Sequence, residues 1–384
     1  MVSKLTKYSS IPGLLCFGTG NVLVQKFLFT LKSTGFDAQG NPDEHVFNKP
    51  WFQTESMFFG MFFCCFMFAI NCLIHKLTNK NKNDVENNLI EKEPEHKEFY
   101  WTNIFWALIP AMCDFCSTCF MNIGLFYISA SIWQMLRGAM VIFAAILSMI
   151  VFKKKFRLYQ WLSILSVVFG IIVVGSAPLI KFDENSTGMS GNSDDTSMVI
   201  LAICLVVFAQ VIQAGQMVSE EFLMKRVYIP STFIVGLEGF WGGSVCALVL
   251  FILQHTPTTN KFITAVFHED TLDTFEMLRN STPLTYWLIF YIFCCFGYNN
   301  FAIMTTETYG AVYRTIIEAA RTLCIWIVNI IIYYILKSIY GEPFFGEGIS
   351  WNSLIELIGF LFIISGSFTY NKIVKLPCVN YDKE

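Results

Sequence analysis

The sequence predicts an all-α polytopic membrane protein: ten transmembrane helices arranged as two inverted five-helix repeats. Three observations lead there. Of 384 residues, 54% are hydrophobic and only 14% charged, whereas a soluble domain carries about a quarter charged residues. The charges fall between apolar runs long enough to cross a bilayer, for which about 20 residues suffice. Finally, two arginines stand at matching places inside such runs, Arg137 in SASIWQMLRGAMVIFAAILSMIVF and Arg321 in IIEAARTLCIWIVNIIIYYIL. Aligning IWQMLRG with IIEAART sets Gln134 against Glu318, three residues before each arginine. A guanidinium at membrane depth costs roughly 2.5–3.5 kcal/mol on insertion scales, so it is expected to be paired, to face a cavity, or to serve function.

The spans are expected at 10–31, 52–76, 100–122, 129–152, 158–178, 198–219, 232–254, 284–305, 311–336 and 353–372. This gives a first repeat over 9–178, a second over 198–372, and a tail at 373–384. The first span is too long for a signal peptide and carries Asn21, Gln25 and Lys26, so it is expected to remain in the protein. The polar stretch NKNKNDVENNLIEKEPEHKE reads as a disordered cytoplasmic connector within 77–99. A Gly/Ser/Asp-rich segment at 179–197 reads as a flexible lumenal one.

Loop charge sets the orientation. With the N-terminal end cytoplasmic, inner segments hold 16 of the 26 basic residues, outer segments 6, and the membrane 4, namely Lys26, Arg137, Arg314 and Arg321. That excess satisfies the positive-inside rule. The two Asn-x-Ser/Thr sequons, at Asn185 and Asn280, both fall in outer loops, where glycosylation is expected.

The second repeat echoes the first beyond the arginines. YQWLSILSVVFGIIVVGSA of span five matches LIELIGFLFIISGSF of span ten, with Gly175-Ser176 against Gly366-Ser367. Five spans per half is an odd number, so the second half is inverted, the pseudo-twofold plan that permits alternating access. Ser166 and Gly170, and Gly236, Gly239 and Gly242, are small residues placed for close helix crossings.

Inside the membrane the polar residues form constellations. Arg314, Glu318 and Arg321 lie at i, i+4 and i+7 on one face, where guanidinium forks suit phosphate or carboxylate. The plainer reading is an intrahelical ion pair that lets the helix insert. Arg137 lacks an acid in its own helix, and Asp114 of span three is the nearest candidate partner across the connection 122–128; a cavity-facing Arg137 is the favoured alternative. Lys26 either lines the pore or reaches toward the outer interface. Gln210, Gln213, Gln216 and Glu220 make a polar stripe on span six, either an interhelical hydrogen-bonding edge or a substrate wall. Asp114, Glu238 and Glu318 are candidates for proton coupling, Glu356 a weaker one, and Asn299, Asn300 and Glu307 for a hydrogen-bonded gate. The substrate-contact candidates are therefore Gln134, Arg137, Arg314, Glu318, Arg321, Asp114, Lys26 and Gln213.

Thirteen cysteines raise the question of metal or disulfide, but most sit within apolar runs, and Cys113-x-x-Cys116-x-x-Cys119 lacks the Cys-Pro that completes an iron–sulfur pattern. No metal and no cofactor are expected. No phosphate loop, nucleophile elbow or His-Glu-x-x-His motif occurs, so an enzyme is not expected, nor is a nucleic-acid partner, since there is no basic stripe. The basic run KKKFR at 153–157 reads as a topology anchor against anionic headgroups.

These residues resemble the drug/metabolite transporter superfamily, in particular the sixth-member type of solute carrier family 35, subfamily F. The resemblance runs through GTGNVLVQKF, FNKPWFQTESMFFG, PAMCDFCST, SASIWQMLRGAMVIF, QWLSILSVVFGIIVVG, AQVIQAGQMVSEEF, EDTLDTF and IIEAARTLCIW. It implies ten spans in two inverted repeats, cytoplasmic termini and residence in an endomembrane (lysosome/vacuole or Golgi) and not the plasma membrane. Glu318 stands where the family pattern leads one to expect Asp, which lengthens the acid's reach. The expected function is secondary transport of a small polar metabolite, anionic, zwitterionic or nucleotide-linked, with the bilayer and the solute as partners and homodimerisation left open. Proton-coupled export of amines, amino acids or peptides from an acidic organelle is the alternative, and a non-transporting scaffold or receptor a third.

Overall fold

The computed structural model describes residues 4–36, 40–83, 101–128, 130–147 with breaks at 141 and 145, 158–177, 196–255 apart from 228, 269–341 apart from 310, 345–349 apart from 347, and 351–370. The expected connectors at 84–99 and 179–195, Asn185, the KKKFR run, Cys378 and the tail at 373–384 lie outside the described residues, as does the side chain of Gln134.

Helices dominate. In chain order they are α1 (Lys4–Leu28), α2 (Pro50–Asn83), α3 (Leu108–Tyr127), α4 (Ala130–Arg137), α5 (Leu158–Ser176), α6 (Thr196–Phe222), α7 (Ser231–Gln254), α8 (Thr271–Asn280), α9 (Thr282–Tyr309), α10 (Ala311–Tyr340) and α11 (Trp351–Tyr370), with a 3-10 turn Trp101–Ala107 leading into α3. Among the described residues nine helices are long and apolar enough to cross a membrane. The one remaining expected span, the fourth, is represented by α4 and short helical pieces up to residue 147.

Three boundaries differ from the sequence expectation. Helix α2 continues through Asn83, so the connector that follows it begins as helix and not as coil. Helix α3 runs to Tyr127, reducing the connection expected at 122–128 to two residues. Asn122 looked like a helix end because it is polar; it is instead an interior residue turned toward partners. The third difference is an antiparallel hairpin, β1 (Lys32–Phe36) with β2 (Pro42–Val46), in register Lys32↔Val46 through Phe36↔Pro42.

Helix pairing carries the architectural information. The closest partners are α1 with α9, α2 with α7, α3 with α6, and α5 with α11. In span numbers these are one with eight, two with seven, three with six, and five with ten. Exchanging the first five spans for the second five swaps one–eight with three–six and leaves two–seven and five–ten unchanged, so the pattern maps onto itself. Small residues make the approaches possible. A Cβ on Gly170 would lie 2.6 Å from the Gly359 carbonyl oxygen and 2.9 Å from the Ile363 nitrogen, while Ser166 donates to the Phe362 carbonyl at 2.9 Å. Gly236, Gly239 and Gly242 lie against Cys65, Phe62 and Phe58 of α2.

Large apolar side chains such as Phe59, Phe66, Trp161, Leu165, Phe251, Phe293 and Ile335 are exposed around the bundle, the surface a helix bundle presents to lipid. Lipid is as apolar as leucine, so the interior is held chiefly by van der Waals fit and interhelical hydrogen bonds.

At one end of the bundle the hairpin packs on α8, which is capped by Asp270 accepting from the Leu272 and Asp273 amides at 2.9 and 3.3 Å. Asp273 accepts from the Phe36 amide at 2.6 Å and Lys49 Nζ at 2.7 Å, and lies 3.0 Å from His45 Nε2. Glu269 accepts from the amides of Trp51 and Phe52, both at 2.8 Å, satisfying orphan donors in the first turn of α2. Burial raises the Glu269 carboxyl to about 7 against the opposing pull of Lys49 and those amides. Asp273 is held below the usual range: burial works upward, but Lys49, the Phe36 amide and His45 outweigh it.

Candidate functional site

A cavity of about 80 Å³ lies among α1, α3, α4, α6, α7, α9 and α10. Its lining includes Asn21, Gln25, Asp114, Asn122, Arg137, Gln213, Gln216, Glu220, Glu238, Tyr298, Arg314, Glu318 and Arg321. Both sequence-matched arginines therefore border one polar space. Of the expected substrate contacts, Arg137, Arg314, Glu318, Arg321, Asp114 and Gln213 line it. Lys26 does not; its ammonium sits 5.9 Å from the centre of the Phe345 ring. Glu356 is buried on α11, and Gln210 is buried elsewhere on α6, donating to the Met121 sulfur at 3.2 Å.

One wall is a guanidinium cluster. Arg321 is 2% exposed and its Nη2 lies 2.7 Å from Glu318 Oε2. The other Glu318 oxygen accepts from the Tyr298 hydroxyl at 2.7 Å, and the Tyr298 ring lies under Arg321 at 4.7 Å. The Arg321 stem occupies the space a side chain on Gly18 would fill: a Cβ there would meet Arg321 Cδ at 2.5 Å. Arg314 does not share Glu318. It pairs with Glu220 of α6 at 3.2 Å and donates to Thr306 Oγ1 at 3.4 Å.

Arg137 differs from both. Among the described residues it makes no ion pair, and the expected pairing with Asp114 is not formed at ion-pair distance. Its guanidinium lies 5.0 Å from the Trp133 ring, a cation–π contact, and the Trp133 indole is fixed by donating to the Met121 carbonyl at 2.9 Å. Arg137 is the last residue of α4, where its charge complements the helix's negative end. Beyond it the ladder tightens: Gly138 and Ala139 bond to the Met135 and Leu136 carbonyls at 3.0 and 3.1 Å, three residues back.

The opposite wall is rich in acceptors. Asp114, Gln213, Gln216 and Glu238 come from α3, α6 and α7. Asp114 accepts from Thr118 Oγ1 at 3.4 Å. A third group joins α1, α2 and α3: Gln25 donates to Asn122 at 3.4 Å, and Asn122 to Thr54 Oγ1 at 2.7 Å. Of the expected gate residues, Asn299 lines the cavity, whereas exposed Glu307 accepts from Ser231 at 2.7 Å.

Sequence reasoning missed Tyr298, Trp133 and Asn122. The aromatics were hidden in runs already dense in Phe and Trp, and only the neighbouring Asn299-Asn300 hinted that span eight carries polar function. Glu220 was seen as the end of a stripe but not as the partner of Arg314, which lies 94 residues away.

Comparison with known proteins agrees with this arrangement. Residues 49–176 match the EamA-like transporter family. Over 371 residues the chain is 28% identical to solute carrier family 35 member F6 of Rattus norvegicus, covering 95% of this chain and 89% of the relative. The Homo sapiens protein of the same name is 28% identical over 374 residues, with the same two coverages. An uncharacterized protein of Schizosaccharomyces pombe is 30% identical over 280 residues, 71% of this chain and 76% of the relative. The EamA-like and solute carrier relatives are transporters and not enzymes. With nine membrane-length helices around a polar cavity, the chain is a multi-pass membrane protein that belongs to the EamA-like transporters of the drug/metabolite transporter superfamily.

Proposed function

We propose that this protein is a secondary-active carrier that moves a small polar metabolite bearing an acidic group across an endomembrane by alternating access. The two five-span halves, residues 9–178 and 198–372, would rock about the cavity with both ends of the bundle cytoplasmic. The observation that carries the reading is the placing of Arg137 and Arg321, matched in sequence, on one cavity between helices of the two halves. The self-mapping helix pairs support it, since a site on a pseudo-twofold interface can be opened from either side. Arg321 and Arg314 are neutralised by Glu318 and Glu220, so Arg137 is the cation best placed to take the solute's acid. The cavity is several-fold below the 300–1,000 Å³ of drug-sized sites; a nucleotide-linked solute would require a wider state, and a compact one fits directly.

The test is uptake into proteoliposomes. Arg137→Ala and Arg321→Ala are each expected to abolish uptake while the protein is still made and inserted; near-wild-type flux by both would refute the anion clamp. Asp114 and Glu238 on the same cavity favour one competing reading, proton-coupled export. A pH jump separates the two, because export would follow the proton gradient alone whereas anion exchange needs a counter-substrate.

A further inference from the structure

The wall opposite Arg137 has no job in an anion carrier. Gln213, Gln216 and Glu238 line the cavity, and Oε1 of each finds no hydrogen-bond donor among the described residues. Glu238 is 1% exposed, Gln216 7% and Asp114 6%. Buried acceptors are nearly always satisfied in folded proteins, and a buried carboxylate with no cation beside it is strongly disfavoured. Gln216 already offers its amide to Glu220 and Glu238, yet the three Oε1 atoms remain without a donor. Arg314 lends its field to Glu238 and Asp114 but forms its ion pair with Glu220, as Arg321 does with Glu318, so none of the three oxygens receives a donor.

What such a wall lacks is a compact donor with several N–H groups and positive charge. A primary ammonium has three donors and no acceptor. It is also small enough for this cavity, whereas a guanidinium already occupies the other side. Water would satisfy the glutamine oxygens but not the charge of Asp114 and Glu238.

We propose that Asp114, Gln213, Gln216 and Glu238 form a cation subsite, and that the cargo is a small zwitterion whose amine docks there while its acid group meets Arg137. The inference rests on the anion reading of Arg137 and narrows it. Both ends of the cargo are then neutralised, and the protein's own charges along the cavity are matched only when it is loaded. Neither a simple anion nor a simple amine does this. Carriage by a matched pair of poles also explains why one cavity holds unpaired charges of both signs.

The experiment uses purified full-length protein, solute-dependent thermal stabilisation and proteoliposome uptake, with matched probes. L-alanine and 4-aminobutyrate are the zwitterions, propionate and butyrate the acids lacking the amine, isopropylamine and butylamine the amines lacking the acid. At least one zwitterion is expected to bind at least about tenfold tighter than its matched acid and its matched amine, the scale of a lost charged hydrogen bond. In Glu238→Gln and Asp114→Asn, both near-isosteric, that preference over the acid is expected to shrink at least about tenfold while binding of the acid itself is unchanged. Equal binding of zwitterion and matched acid would overturn the cation subsite and leave the anion reading standing. Zwitterion binding that is indifferent to Arg137→Ala would overturn the anion reading and with it the zwitterion. Absence of binding by every probe would also overturn it, since the compact cavity was the basis for choosing them. Should one variant fail to fold, the other and the wild-type discrimination decide.

Discussion

The two matched arginines should behave oppositely when stability, not transport, is measured. Removing the Arg321 side chain strands Glu318, which is 8% exposed and otherwise 2.7 Å from the guanidinium. Unit charges about 4 Å apart at an effective dielectric near 20 attract by about 4 kcal/mol, and breaking a buried pair by deleting one partner costs about 3–5 kcal/mol. Arg321→Ala is therefore expected to lower stability by about 3–5 kcal/mol. The Arg321→Ala/Glu318→Gln double variant should recover most of that, because no charge is left unpaired and Tyr298 keeps an acceptor. Arg137 has no ion pair among the described residues, so Arg137→Ala should lose its contact with Trp133, about 0.5–2 kcal/mol, and its hydrogen bond with Tyr298, without stranding a paired carboxylate. Thermal unfolding in detergent across the four variants supplies the cycle. If Arg137→Ala were as damaging as Arg321→Ala, or if the double variant stayed as unstable as the single, the distinction between a pinned and an available arginine would fail.

Three further outcomes follow from the hairpin cap and the helix crossings. Glu269, 2% exposed with its carboxyl raised to about 7 by burial, binds a proton in the folded state between about pH 4.5 and 7 where the unfolded chain does not. Its contribution is complete below that window and is lost as pH rises through 7, by about 3 kcal/mol; melting from pH 5 to 8 should show the fall and Glu269→Gln should flatten it. Gly170→Val should cost about 1–3 kcal/mol in the same assay, since the new Cβ would meet backbone atoms of Gly359 and Ile363; an unchanged melting temperature would disprove the tight crossing. Asn280 is exposed at the end of α8, and Asn280→Gln should remove a glycosidase-sensitive mobility shift; cytosolic labelling of residue 280 would instead invert the topology.

The membrane class and nine of the ten expected spans were legible because a bilayer imposes a length and an apolarity that no soluble helix must meet. Arg137 and Arg321 were legible for the complementary reason, being expensive exceptions inside those runs. What could not be read was partnership across the chain. Arg314 and Glu318 share a helix face, yet Arg314 turns to Glu220 because α6 supplies a carboxylate from the facing wall. Asn122 was mistaken for a boundary because polarity signals both a helix end and a lined cavity, and one sequence cannot separate them. The hairpin escaped notice since KSTGF and PDEHV carry little alternation; its stability comes from Asp273 and Met277 on a helix more than 200 residues later. Periodicity reports faces and lengths. It does not report which faces meet.

Arg137 stands on the last rung before the backbone tightens at Gly138 and Ala139. The side chain proposed to meet the cargo is thus mounted where the helix changes its winding, and even a few degrees of flexing there would be magnified at the tip of its long stem. Whatever grips that guanidinium also sets the angle of the lever carrying it, so loading and movement draw on the same few atoms of main chain.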